Sequence, residues 1–466
     1  MDTKAFLRDP AQAISDLGLE PANPVAQDLL RKSEAVKADR QQLKQLKKDK
    51  SAVARAFKTV EAGTSKHSSL VARMQEVSDA YKSLEGSVKA QEKLLGQGLE
   101  AAEQNQEHEP PFFEVPAGCD YSGPVTVREL AADEMPPWFA FAARQVNAPA
   151  YCQAPWPGII HSAFSNPTRV WAAFSEQGEI LGGVPLTFFD SRLFGRFAVS
   201  IPYFNYGAVL TPYFNVVKAL FEQLPRVCES ERLSHIEIRT MQPGLGLPSL
   251  SKKVSMVLQL PKTVQQLDEQ LGAKVRAQCK KAEPFSPEVR FGGLELLDDF
   301  YHVFAINMRD LGTPVYSKRW FREILAHPEV VASLVVVYVA GKPVSAGFLV
   351  GHNGMLEIPW ASTIKNANAM DTNMWMYRQI LAYAVREGYQ FFDFGRSTKD
   401  SGTYRFKKQW GAEPYEHYWY YALPEGGTMP GLNPDNPKFR LMIAVWKKLP
   451  VWLTRIIGPP VVKNIP

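Results

Sequence analysis

Apolar positions in this chain follow two regimes. Between residues 25 and 104 they recur at helical spacing, whereas beyond residue 125 they gather into short runs bounded by glycine, proline and polar turns. In the first regime Leu29, Val36, Leu43 and Phe57 fall on one seven-residue series, and Leu46, Val53 and Val60 on the other. After Gly63-Thr64-Ser65 the pattern restarts with Leu70, Met74, Val77, Tyr81, Leu84, Val88 and Leu95. Two heptad-patterned helices joined by a glycine-containing turn predict an antiparallel helical coiled-coil hairpin over residues 1–104. Lys32, Asp39 and Lys50 occupy seam positions, so packing there should be looser. Residues 105–124, rich in Gln, Glu, Pro and Gly, read as a linker.

The second regime contains a weak internal repeat. Arg169–Phe189 reads as strand, Glu-Gln-Gly turn and strand, with Val170, Ala172 and Phe174 alternating. Ser333–Val350 repeats it around an Ala340-Gly341-Lys342 turn. Each hairpin leads through a further strand to a helix, Val216–Glu231 or Asn373–Glu387, and then to a short apolar strand, His235–Thr240 or Phe391–Gly395. An offset of about 160 residues throughout predicts two copies of one α/β unit, over 125–260 and 261–424, with a cleft between them or within a splayed sheet.

The densest chemistry follows the last of those strands. Phe391-Phe392-Asp393-Phe394-Gly395 should be a buried strand entering a tight turn, and Arg396, Ser397, Lys399 and Asp400 come directly after it. Open α/β sheets bind ligands at the C-terminal ends of their strands. Thr403 to Trp410 then interleaves Tyr404, Phe406 and Trp410 with Arg405, Lys407 and Lys408. Elsewhere, Leu271–Ala282 places Lys274, Gln278 and Lys281 on one helical face and Arg276 with Lys280 on the next. Ser200–Gly207 is aromatic and carries polar tips on Tyr203, Asn205 and Tyr206.

The order Asp393-Phe394-Gly395-Arg396-Ser397, the Ser401-Gly402-Thr403-Tyr404-Arg405-Phe406-Lys407 step and Trp410-Gly411-Ala412 resemble the C-terminal motif of FemAB-like transferases of the GNAT superfamily. The basic helix at 274–282 and Trp360 in Pro359-Trp360-Ala361-Ser362 match that pattern too. The resemblance spans roughly residues 125–424 and implies tandem GNAT-like acyltransferase domains, a mixed α/β (α+β) architecture. The runs at 188–196 and 200–207, with His161, resemble a branch encoded beside exosortase and exopolysaccharide systems. The N-terminal segment resembles the tRNA-binding arm of seryl-tRNA synthetases. Its first helix carries ten Lys/Arg against three acids from Arg31 to Lys58, either a solvated face or a track for a phosphate backbone.

The implied reaction is transfer of an aminoacyl or acyl group to an amine of a cell-envelope or exopolysaccharide precursor. The amine attacks the carbonyl directly, so catalysis is positioning plus charge stabilisation. That agrees with a chain lacking Gly-x-Ser-x-Gly and any metal-ligand cluster. Asp393 or Asp400 would accept the proton if burial raises its pKa; Asp393, inside an apolar strand, is the better desolvated of the two, although its alternative role is to bond the following turn. Tyr404 would orient a carbonyl or supply a proton. Lys274, Arg276, Trp360, Arg396, Ser397, Lys399, Lys407, Tyr203 and Asn205 are expected to bind substrate, and His161 is a weaker candidate. Lys365–Asn373 has no glycine to cradle a pyrophosphate. This disfavours acetyl-CoA and favours aminoacyl-tRNA or an acyl carrier, with no cofactor. The alternative is a non-catalytic scaffold whose hairpin binds RNA or a protein.

Composition adds bounds rather than identity. At 45% hydrophobic and 22% charged residues the chain has ample core, and its formal net charge is +5. Cys119, Cys152, Cys228 and Cys279 show no metal or disulfide spacing, which fits a reducing cytoplasm. No run approaches the ~20 apolar residues of a membrane span, and no signal peptide is evident. The tail, 425–466, breaks at Asn433-Pro434 and continues as a basic apolar segment. It should either dock on the body or lie on anionic lipid at the inner membrane face.

Overall fold

The computed structural model describes residues 3–16, 24–57, 60, 64–104, 112–116, 118–191, 194–430 and 437–465. The expected turn at Gly63, the first part of the linker (105–111) and the break at Asn433-Pro434 lie outside the described residues. The chain forms two compact units, Met1–Glu109 and Pro110–Pro466.

In the N-terminal unit, helices Pro24–Phe57 and Ser65–Gln104 run antiparallel. Arg40 bonds Glu92 at 2.8 Å, Asp39 accepts from Gln91 at 3.1 Å and Lys50 donates to Ser78 at 3.2 Å. The seam residues Asp39 and Lys50 thus find partners across the hairpin, while Lys32 pairs with Asp28 on its own helix at 2.6 Å. Short helices Thr3–Arg8 and Pro10–Asp16 cover the open end, burying Phe6, Leu7 and Ile14 against Leu29, Val36, Leu95 and Leu99. Farther along, Leu43 and Leu46 stay half-buried, because two helices alone cannot enclose a seam.

The larger unit holds two seven-stranded sheets. In chain order the strands are β1 (Thr126–Glu129), β2 (Thr168–Phe174), β3 (Ile180–Ser191), β4 (Gly195–Val199), β5 (Ile236–Thr240), β6 (Ser249–Leu250) and β7 (Lys253–Gln259). They continue as β8 (Glu288–Gly292), β9 (Val331–Val339), β10 (Lys342–His352), β11 (Met355–Thr363), β12 (Phe391–Thr398), β13 (Glu413–Glu416) and β14 (Tyr418–Ala422). The first sheet runs β1-β2-β3-β4-β5-β14-β6 and the second β13-β7-β12-β11-β10-β9-β8. Both predicted hairpins are present, as β2–β3 and β9–β10, and the repeat helices are Phe214–Ser230 and Thr372–Arg386.

One feature departs from a boundary at residue 260. β7, expected in the first domain, pairs antiparallel with β12 in the second sheet, and β14 returns from the second half to pair with β5. The physical reason is edge closure. A strand parallel to its predecessor, as β5 is to β4 and β12 to β11, leaves an open edge, and the other half supplies the strand that covers it. The two halves are therefore one body.

Strand alternation divides the cores. Leu334, Val336 and Phe348 face a core shared with the first half, whereas Val335, Val337, Leu356, Ile358, Phe392 and Phe394 face one closed by helix Thr372–Arg386. By the same period of two, Glu357 and Asp393 point to the side away from that helix.

Candidate active site

β11 and β12 run parallel and pair only at Met355–Phe391, Leu356–Phe392 and Glu357–Asp393. Beyond that point β11 continues to Thr363 and β12 to Thr398 without pairing to each other, so the sheet opens into a wedge. Glu357 and Asp393 sit side by side at its apex. Both are buried, Asp393 at 0% exposure and Glu357 at 5%.

Asp393 divides its two oxygens between two jobs. Oδ1 accepts from the Gly395 backbone N–H at 2.7 Å. This bond holds a bulge, for the pairing of β12 with β7 skips from Asp393–Val257 to Arg396–Ser255. Gly395 turns there with φ of 78°, the left-handed region that glycine reaches without strain. Oδ2 is buried without a hydrogen-bond partner. The Ser255 and Tyr206 hydroxyls lie near enough to lower the carboxyl's pKa, but their good geometry goes to His417 Nε2 at 3.1 Å and Met355 Sδ at 3.6 Å.

Burial dominates the electrostatics. It pushes Asp393 up to about 6, against the Gly395 bond and the Lys407 charge, which pull it down. Glu357 is raised well above the carboxylate range by burial and then by Asp393's charge, despite a short bond from the Tyr151 hydroxyl to Oε2. Its Oε1 has no partner. Two adjacent buried carboxyls cannot both ionise easily, so they titrate as a pair. A cavity of about 40 Å³, lined by Tyr151, Tyr206, His352, Met355 and Glu357, adjoins the pair.

Lys407 stands beneath the bulge. Its ammonium donates to Gly395 O at 2.8 Å and to Arg396 O at 3.0 Å, and burial lowers its pKa to about 8. At 8% exposure it is packed, which differs from the expectation of a ligand-facing cation. Arg396 is placed differently from Lys407. Its side chain is exposed and rests on Trp419 at 5.4 Å, with no carboxylate within ion-pair distance among the described residues. Desolvation, and then the neighbouring Arg239, lower its pKa. A cation that feels Glu237 only at longer range and has no carboxylate within ion-pair distance among the described residues is suited to an anionic ligand.

The other predicted residues separate into two groups. Asn205 joins the apex: a Cβ on Gly395 would lie 4.0 Å from both Asn205 Nδ2 and Lys407 Nζ. Ser397 is buried with an unpartnered hydroxyl. Trp360 lies on the part of β11 that pairs with β10 but not with β12, and meets Phe204 at 5.7 Å and Tyr316 at 5.8 Å. Tyr203 is nearby, but its hydroxyl is engaged, donating to Lys463 O at 2.9 Å and accepting from Asn166 at 2.8 Å.

Lys274 and Arg276 are not brought to the apex by any contact among the described residues. Their helix, Ala273–Lys280, buries Val275 and Cys279 against helix Thr372–Arg386, and Arg276 donates to the carbonyls of Asp268 and Leu271. Tyr404 packs in the second core at 7% exposure. Lys399 is exposed and pairs with Glu416 at 3.5 Å, and His161 is exposed in the last turn of helix Pro155–Phe164. Sequence reasoning missed Glu357, Tyr151, Arg239 and His417. The available signal was the lone acid in Met355-Leu356-Glu357-Ile358, which mirrors Asp393 in its own apolar strand.

The sequence matches the model of the acetyltransferase (GNAT) domain over residues 272–408. No curated protein matches it. Among solved structures, that of FemX aligns over 65% of this chain and 98% of its own, at 15% identity and a TM-score of 0.49. L-PGS from Bacillus licheniformis covers 73% of this chain and 99% of its own, at 15% identity and a TM-score of 0.42. A tandem GNAT protein from the clavulanic acid biosynthesis pathway covers 66% and 100%, at 12% identity and a TM-score of 0.42. The matched stretch runs from the basic helix to the helix after β12, so the wedge lies on a GNAT-type acyltransferase fold.

Proposed function

We propose that the protein transfers an aminoacyl or acyl group to an amine of a cell-envelope or exopolysaccharide precursor in the cytoplasm. The observation that carries this reading is the buried, half-unpartnered Asp393 at the wedge apex, beside an Arg396 that lacks a carboxylate partner. An acceptor ammonium entering the wedge gives a proton to Asp393 Oδ2. The freed amine attacks the acyl carbonyl and forms the C–N bond. The bond from carbonyl carbon to the leaving atom, the ester oxygen of an aminoacyl-tRNA or the thioester sulfur of an acyl carrier, then breaks, and that atom takes the second amine proton. Asp393 returns its own proton to solvent. Arg396 holds an anionic group of donor or acceptor, and Lys407 keeps the bulge in shape. A pKa near about 6 makes Asp393 a base at neutral pH that still binds a proton readily.

The residues before helix Thr372–Arg386 do not fit the pyrophosphate of acetyl-CoA. Asp371 stands at that helix's N-terminus, where an anion would have to bind, and pairs with Lys281 at 3.3 Å. The donor in this reading is an aminoacyl-tRNA or an acyl carrier, with the basic hairpin helix as the surface for RNA. Mass spectrometry of envelope precursors and exopolysaccharide from cells with and without the gene tests it. A product that is lost on deletion, restored by the wild-type gene and not restored by Asp393→Asn is expected. Full restoration by Asp393→Asn sinks the proposal.

A further inference from the structure

The C-terminal segment is anchored on one face and bare on the other. Helix Val451–Val462 buries Thr454, Gly458 and Val462 on the body. Gly458 lies so close to Val315 that a Cβ there would come within 2.9 Å of its backbone. Hydrogen bonds to backbone carbonyls fix the segment at two places: Arg309 donates to Leu449 O at 3.2 Å, and Tyr203 to Lys463 O at 2.9 Å. Helix Val451–Val462 therefore docks on the body by the face that carries Thr454, Gly458 and Val462.

Trp452 is 64% exposed, Ile456 63%, Met442 60% and Val445 53%, with Val461 exposed as well, while Ile443 and Ile465 are exposed at the edge, the former reaching Gly312 and the latter lying beside Phe194 and Phe197. These are seven of the fifteen exposed large hydrophobic residues among the described residues, within 24 positions. Such crowding marks a surface built to be covered. The charges name what covers it. From Pro437 onward the sequence has no Asp or Glu and six cations: Lys438, Arg440, Lys447, Lys448, Arg455 and Lys463. Lys447 and Lys448 are exposed beside the apolar residues. No helix of the described residues is long and apolar enough to cross a bilayer.

We propose that this face is a membrane-docking surface that seats residues 442–465 in the interface of an anionic lipid bilayer, with Trp452 and Ile456 inserted and Lys447 and Lys448 among the headgroups. A short helix held to a globular body by its inner face lies in the plane of the membrane and cannot span it. The inference stands apart from the chemistry of the wedge.

Sedimentation of the full chain with phosphatidylcholine vesicles, with and without phosphatidylglycerol, tests this directly. Most of the protein should pellet with the anionic vesicles and little with the zwitterionic ones. Trp452→Glu combined with Ile456→Glu should lower the bound fraction roughly tenfold, with the melting temperature unchanged because both side chains are exposed. Lys447→Gln with Lys448→Gln, a milder change, should weaken binding and remove most of its salt dependence. Equal sedimentation with and without vesicles would overturn the proposal, as would wild-type binding by both double variants. Analytical ultracentrifugation covers the remaining occupant. An oligomer that Trp452→Glu and Ile456→Glu convert to monomer, with no vesicle binding by either form, would make the face an interface between copies and reject the membrane.

Discussion

The two halves of the larger unit carry the same wedge and treat its charges in opposite ways. In the first half β4 and β5 pair only at Ala198–Ile236 and Val199–Glu237 before diverging, as β11 and β12 do after Glu357–Asp393. There the acid at the apex is satisfied. Glu237 accepts from Arg239 Nε at 2.7 Å and from the Tyr421 hydroxyl at 2.8 Å, and Arg239 also donates to Phe204 O at 2.7 Å. In the second half the acid keeps an orphaned oxygen and Arg396 keeps no carboxylate. A closed ion pair specifies structure, while an open one can act on a ligand. Under the proposed function the second wedge is the reactive one and the first its support.

Breaking the closed pair should produce the largest effect on stability. Arg239→Leu leaves Glu237 buried without its cation, which costs about 3–5 kcal/mol. Arg396→Leu should leave the thermal melt almost unchanged and still abolish product formation in cells. Similar melts for both variants would erase the distinction between the wedges.

Lys407→Met should cost about 1–3 kcal/mol, because it strands the carbonyls of Gly395 and Arg396 that its ammonium now binds. Urea unfolding measures this. No change in midpoint would mean the ammonium is not holding the bulge.

The signs of the two shifts also fix the pH dependence. Asp393 is raised from 3.8 to about 6, so the native state keeps a proton that the unfolded chain has lost. Its contribution to stability therefore falls as pH rises between those values. Activity moves the other way, rising through about 6 as the base form appears. Lys407 is lowered from 10.5 to about 8, so its buried charge disfavours folding until it deprotonates. Above about 8 its grip on the bulge weakens, and activity should decline. Product formation measured across pH should trace a bell between these limbs, and a flat profile through about 6 would remove Asp393 as the base.

Tyr203→Phe should have the smallest effect, roughly 0.5–1.5 kcal/mol, by deleting the bond that ties its loop to Lys463 O. The same loop carries Asn205 to Gly395, so a loss of activity exceeding the loss of stability would tie the tail to the wedge.

Much of the repeat was legible in the sequence, and the apex was only half so. Local signals suffice for a hairpin such as β9–β10 or a strand such as Phe391–Phe394, since their period and turn residues are contiguous. Asp393 could be placed at a strand end from its neighbours alone. Its partner could not, because Glu357 meets it through a parallel pairing that no local pattern encodes. The Tyr151–Glu357 bond spans 206 residues, and the exchange of β7 and β14 likewise depends on long-range edge closure. Residue type was a poor guide for Lys407 and Tyr404. Both read as surface chemistry in a basic stretch, and both are packed under the strand end, where the stem of a lysine or a tyrosine ring adds to the core.

Infrared titration of the carboxyl groups most directly tests whether the second wedge holds the unsatisfied acid. The wild-type protein should show a carboxyl that stays protonated above the ordinary carboxylate range and disappears in Glu357→Gln, and a second step near about 6 that disappears in Asp393→Asn. Glu237→Gln should leave both signals in place. A protein whose carboxyls are all ionised well below about 6, or whose step near about 6 vanishes in Glu237→Gln instead, would contradict the account.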